Sequence, residues 1–117
     1  MNNIEERRGR YMQDGVPTRI GGIAANMARV GSISAWPDTK VVAFDLFEES
    51  KYFIEWTAAE ADNETTGTLV DLQLQLSVWQ LQLDTLWQDE QLRAELGRRA
   101  KEYSNDLIQR SGLLSEK

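Results

Sequence analysis

The chain contains no histidine and no cysteine, so acid–base or nucleophilic chemistry would have to rest on carboxylates, lysine or tyrosine. That composition excludes Cys/His zinc sites, haem held by His or Cys, thiol nucleophiles, imidazole bases and disulfides. The densest candidates are Glu48, Glu49, Glu55, Glu60, Asp62 and Glu64. Glu48 and Glu55 lie on one helical face about two turns apart, too far for a paired-acid role within one helix. Glu60, Asp62 and Glu64 alternate with small or polar residues, as in a solvated acidic loop, and lack the twelve-position spacing of a helical calcium loop. A diiron bundle needs a Glu-x-x-His motif, which this chain cannot supply. The RIGG segment at Arg19–Gly22 lacks both the Walker spacing and its Lys followed by Ser or Thr. The expectation is a chain with no catalytic residues, no cofactor and no metal.

The informative residues are therefore apolar. Thr68 to Gln88 reads TLVDLQLQLSVWQLQLDTLWQ, a Leu-, Gln- and Trp-rich run without Gly or Pro. Leu72, Leu74, Leu76 and Val78 alternate as in a strand, but a helix accounts for more of the run. Spacings of three and four join Leu69, Leu72, Leu76, Trp79, Leu83 and Leu86 into one stripe, with Trp87 beside it. Val70, Leu74, Val78 and Leu81 form a second stripe on another side of the same cylinder. The reading is one two-sided helix of about five or six turns. Two apolar sides need two sets of neighbours, the second coming from this chain or from another molecule.

The 117 residues allow one small domain, and a 41% hydrophobic content with four Trp supports a real core. The formal charge of −6 disfavours a general nucleic-acid binder. Residues 1–35 carry five Arg against three acids, residues 36–65 eight acids against two Lys, and residues 66–117 eight acids against six bases. The basic front and acidic middle could attract one another within the fold or between copies, or each could be a solvated face. The opening MNNIEERRGRYMQDG has no apolar segment behind its charges, and no long uncharged apolar run occurs elsewhere. A cytoplasmic protein without membrane insertion is expected.

Residues 1–17 read as a flexible or loosely docked arm, and residues 18–117 as a single helical domain. Thr18 is the expected cap of a helix carrying Ile20, Ile23, Met27 and Val30, rich in Gly and Ala. Ile33 and Trp36 are expected to lean on the core. A second helix runs from a cap at Asp38 or Thr39 to about Thr57, with Phe44, Phe47 and Ile54 along one inward edge. Ala58–Thr68 reads as an acidic linker. Asp89 caps the last helix, whose inward stripe is Leu92, Leu96, Ala100, Tyr103 and Leu107, with Arg93 on its outer sides and Gly112 as C-cap. The tail from Leu113 to Lys117 either packs back or serves as a docking peptide. The predicted fold is all-α, a four-helix bundle or an irregular helical domain.

Trp36, Trp56, Trp79 and Trp87 read chiefly as core. Trp56 is the exception, because it falls near Tyr52 on the polar side of the second helix. An exposed Tyr52/Trp56 pair would mark a protein-binding surface, unless a neighbouring segment covers it. The segment FEESKYFIEWTAAEA at Phe47–Ala61, followed by the Leu/Gln/Trp helix to Trp87 and the closing SGLLSE, resembles a group of small, uncharacterised helical proteins of cyanobacteria. A carboxysome assembly factor that links shell proteins is associated with that group. The resemblance covers most of residues 18–115 and implies protein binding in photosynthetic cytoplasm rather than catalysis, with a carboxysome shell component as partner. Together these readings predict a non-enzymatic adaptor or assembly factor, acting as a homodimer or on another protein through Tyr52, Trp56, Val70, Leu74, Val78 and Leu81. The alternative is a regulatory subunit or small-ligand sensor with a pocket between helices lined by Phe44, Trp56 and Trp79. A DNA-binding regulator is the third class, favoured only by the basic front.

Overall fold

The structure, a computed structural model, describes residues 3–113. Met1, Asn2 and residues 114–117, which include most of the tail considered above, lie outside the described residues. The chain is all-α, in the irregular of the two expected arrangements, with six α-helices among the described residues rather than four. They are α1 (Asn3–Met12), α2 (Val16–Ile33), α3 (Lys40–Thr57), α4 (Asn63–Leu81), α5 (Leu83–Gln88) and α6 (Glu90–Ser111). Short 3-10 turns at Pro37–Thr39 and Ala58–Glu60 precede and follow α3.

Capping chemistry sets the boundaries and explains where the sequence reading differs. Helix α2 begins before Thr18, because extended Gly15 and Pro17 in the first turn already start it. At Thr39 the hydroxyl turns backward, donating to the carbonyls of Ile33 and Trp36 at 2.8 and 2.7 Å, instead of capping α3. The acidic stretch after Ala61 is helical. Asp62 accepts from the Thr65 N–H at 2.8 Å and starts α4 despite Gly67. That backbone hydrogen bond also holds the Asp62 carboxyl below its ordinary pKa. The expected Thr68–Gln88 helix is broken at Gln82, whose φ of −105° and ψ of 12° separate α4 from α5. Asp89 caps α6 by accepting from the N–H groups of Gln91 and Leu92, and Gly112 ends it at φ +85°, where a Cβ would be strained.

Helix α2 packs most extensively on α6, and α3, α4 and α5 complete one core. Ile23, Met27 and Val30 of α2 meet Phe47 and Ile54 of α3, Leu69, Leu72, Leu76 and Trp79 of α4, Leu83 and Trp87 of α5, and Leu96, Ala100 and Leu107 of α6. The α2–α6 approach is very close. A Cβ on Gly97 would lie 2.0 Å from Ser34 Oγ and 3.3 Å from the Gly31 carbonyl oxygen, and one on Gly31 would meet the stem of Lys101 at 2.4 Å. Leu96, Ala100 and Leu107 of α6 are buried as expected, and only its first turn departs from the expected stripe. Arg93 points inward, 7% exposed, while Leu92 is exposed. The buried guanidinium donates to the carbonyls of Ser34 and Trp87, each at 2.8 Å, at the C-terminal ends of α2 and α5. A cation there complements two helix dipoles, which accounts for its burial without a carboxylate partner. Trp36 does not lean on the core; it is exposed, whereas Ile33 packs against it.

Gly97→Ala is expected to lower stability by about 1–3 kcal/mol even though alanine is the better helix former, because Ser34 and a backbone carbonyl cannot both withdraw. Gly31→Ala should cost much less, since the Lys101 stem can swing aside. Urea unfolding midpoints of the two variants measure the difference.

Candidate surface for protein contact

Helix α4 is covered on one side only. Leu69, Leu72 and Leu76 are fully buried and Trp79 nearly so, packing on Phe47 at 5.6 Å and edge-on to Tyr103 at 6.4 Å between ring centres. The second stripe faces out, with Val70 50%, Leu74 64%, Val78 43% and Leu81 87% exposed. The domain measures 39 × 39 × 22 Å, little more than two helix diameters in its short direction. Among the described residues no third layer lies over that stripe.

The polar residues beside the stripe are tied down onto neighbouring helices. Toward α3, the Gln73 amide donates to the Lys51 carbonyl at 3.3 Å, and Gln80 accepts from Lys51 Nζ at 2.9 Å while donating to Glu48 at 2.8 Å. Toward α6, Gln75 accepts from Arg99 at 3.0 Å, and Asp71 accepts from the Tyr103 hydroxyl at 3.0 Å. Between these anchored flanks the apolar side chains form the crest. From Thr65 to Leu83 the chain carries one charged residue, Asp71, in a protein that is 27% charged. Depletion of charge beside exposed large apolar side chains is what distinguishes a contact surface from ordinary solvated helix.

Sequence reading missed two further members. Val41 is 70% exposed, and Phe44, expected on an inward edge, is 43% exposed. With Leu81, Leu83 and the Lys40–Asp84 ion pair at 2.6 Å they line an open cleft of about 340 Å³ where α3 meets the end of α4. The available signal was the paired Val41-Val42 at a helix start, since two adjacent residues cannot share one buried face.

Tyr52 and Trp56 are brought together on α3, 5.6 Å apart, but both are half-buried. The covering segment is α1. Tyr11 stacks on Phe53 at 4.1 Å and 7°, lies 5.7 Å from the Trp56 ring, and donates from its hydroxyl to the Arg19 carbonyl at 2.9 Å. Thr57 Oγ1 lies 3.0 Å from the same hydroxyl. Arg7 of α1 pairs with Glu49 at 2.5 Å, and buried Arg19 pairs with Glu60 while donating to the Trp56 carbonyl at 3.1 Å. Basic front and acidic middle thus meet inside one chain. Phe44, Trp56 and Trp79 occupy three different environments: the α3/α4 cleft, the Tyr11 cluster and the core.

Of the six acidic residues considered for chemistry, five have structural partners, and Glu55 is exposed. Glu48 accepts from Gln80, Glu49 from Arg7 and Asn26, Glu60 from Arg19, Asp62 caps α4, and Glu64 lies 3.6 Å from Arg110. Among the described residues no group of three or more acidic side chains is placed to hold a metal, and no helix is long and apolar enough to cross a membrane. No protein-family model, no curated protein and no solved structure matches the chain.

Burial pushes the Tyr11 phenol up to about 12 from an ordinary 10.0, with the Thr57 hydrogen bond opposing the shift. A raised folded-state value means that this stability is complete below the unfolded-state pKa and is lost as pH rises through the folded one. Wild type should therefore lose stability between about pH 10 and 12. Tyr11→Phe should lose less over the same window in urea unfolding at fixed ionic strength, and equal losses would show that the phenol is not held in a desolvated site.

Proposed function

We propose that this chain is a non-enzymatic protein-binding module, an adaptor or assembly factor, whose contact surface is the outer face of α4 extended by Val41 and Phe44 of α3. The observation that carries the reading is the exposed crest of Val70, Leu74, Val78 and Leu81 on a helix whose flanking polar side chains are anchored sideways. Burying such side chains from water favours association by about 25 cal/mol per Å² of apolar area before the costs of ordering are met. The half-buried Tyr52/Trp56 pair, covered in part by α1, is a secondary surface at most. A cytoplasmic setting belongs to the same proposal. A carboxysome shell component as partner rests on the resemblance of Phe47–Ala61 and the helices after it. The ligand-sensor alternative loses its pocket, because its three aromatic residues are separated.

Affinity capture of the tagged chain from its own cells, with Leu74→Glu in parallel, tests the reading. Proteins retained by wild type and lost from a variant with unchanged far-UV circular dichroism are expected. An identical retained set with both chains would contradict the assignment of this face.

A further inference from the structure

We propose that α1 is a strap that lifts as one unit about the turn at residues 13–15, uncovering an aromatic face of α3 formed by Tyr52, Phe53 and Trp56 while the rest of the domain stays folded. The occupant of that face is thus a segment of this chain, and the inference stands apart from the reading of the α4 surface.

The first argument is how little holds α1. None of its ten residues is buried. Gly9 in its interior has open space where a Cβ would stand, so no close approach offsets the helix propensity that glycine gives up. A helix of this length is marginal in water without packing. Its side chains tie to the body at Arg7 and at the C-terminal end. Arg7 pairs with Glu49 at 2.5 Å, both partners partly exposed, and Tyr11 supplies the ring stack on Phe53 and the hydrogen bond to the Arg19 carbonyl. Beneath its N-terminal half α1 does not close on α3. An open cleft of about 710 Å³ lies there, lined by Ile4 and Arg7 of α1, Arg29 of α2, and Val42, Leu46 and Tyr52 of α3.

The second argument is that the turn after α1 is held independently of it. Arg19, 4% exposed, donates from Nε to the Asp14 carbonyl at 3.0 Å and from Nη1 to the Trp56 carbonyl at 3.1 Å, and pairs with Glu60. When α1 lifts, this node keeps the start of α2 and the end of α3 in place, losing only the contact of Nη1 with the Met12 sulfur at 3.3 Å. Glu49 likewise keeps the Asn26 amide, which donates to it at 3.1 Å.

What lifting uncovers is Phe53, stacked under Tyr11 at 4.1 Å, with Trp56 5.7 Å from the same Tyr11 ring and Tyr52 beside Trp56. Tyr and Trp are enriched where proteins meet, so α1 in its closed position keeps such a face out of use. The tie farther from the hinge is an ion pair in reach of water, which makes opening sensitive to ionic strength.

Native-state hydrogen exchange of the intact chain reads the opening. Amides of residues 7–12, which carry the internal hydrogen bonds of α1, should exchange at least about 100-fold faster than those of Ala100 and Leu107 in α6, through an opening with little dependence on urea below the global transition. Arg7→Gln, or a rise from about 0.05 to about 0.5 M sodium chloride, should speed the α1 amides about two- to fivefold and leave the α6 amides unchanged. In a Trp36→Phe chain, Trp79 and Trp87 are buried and Trp56 is the indole left in partial contact with water. There Tyr11→Ala should shift the emission to the red and increase quenching by acrylamide, with far-UV circular dichroism otherwise retained. Exchange of residues 7–12 at the α6 rate with the same urea dependence would overturn the strap, as would Arg7→Gln and salt without effect on them. A Tyr11→Ala chain with unchanged emission would show that α1 covers nothing, and one that no longer folds would make α1 part of the core; either result overturns the proposal.

Discussion

The close approach of α2 and α6 is the constraint on which the rest of the arrangement depends. With a Cβ excluded at Gly97 by Ser34 and the Gly31 carbonyl, the two longest-packed helices come together almost backbone to backbone. That contact turns Arg93 inward, where its guanidinium closes the C-terminal ends of α2 and α5. Arg19 acts similarly on the opposite side of α2, tying the turn at Asp14, the Trp56 carbonyl and Glu60 into one node. Buried arginines stand where helices end because the free carbonyls there need donors and the local dipole favours a cation.

Because α2 and α6 occupy the centre, α4 can pack on only one side. A flattened domain 22 Å thick gives each helix one inner and one outer surface. For α6 the outer surface is charged, with Arg98 bridging Glu95 and Glu102, which suits water. For α4 it is apolar, and the glutamines that could have covered it are committed to α3 and α6. An apolar outer face left in water adds little to the stability of the monomer, and under the proposed function it is the surface that contact would bury.

The all-α class and the two apolar stripes of Thr68–Gln88 were legible because Leu at spacings of three and four leaves little choice of period, and the first stripe is buried as one inward face. Period alone left open whether this chain would cover the second stripe, and its exposure follows from α3 and α6 lying on the flanks of α4. Boundaries were less legible. The extension of α4 back to Asn63 depends on Asp62 finding the Thr65 N–H, and the break at Gln82 leaves no mark in a sequence of strong helix formers. The burial of Arg93 in place of Leu92 in the first turn of α6 depends on the carbonyls of Trp87 and of Ser34, the latter from a distant part of the chain. Val41 and Phe44 joined the surface for a comparable reason: the start of α3 overhangs the end of α4, a tertiary relation that periodicity does not encode.

Under the proposed function α4 has two roles, one stripe holding the fold and the other serving contact. Urea unfolding of dilute Leu72→Ala and Leu74→Ala side by side tests it most directly. Leu72→Ala should lose about 2–5 kcal/mol as a buried leucine that leaves a cavity. Leu74→Ala should stay within about 0.5 kcal/mol of wild type, as expected of an exposed position. Comparable losses in both would show that the second stripe is part of the core and that the chain has no such face to offer.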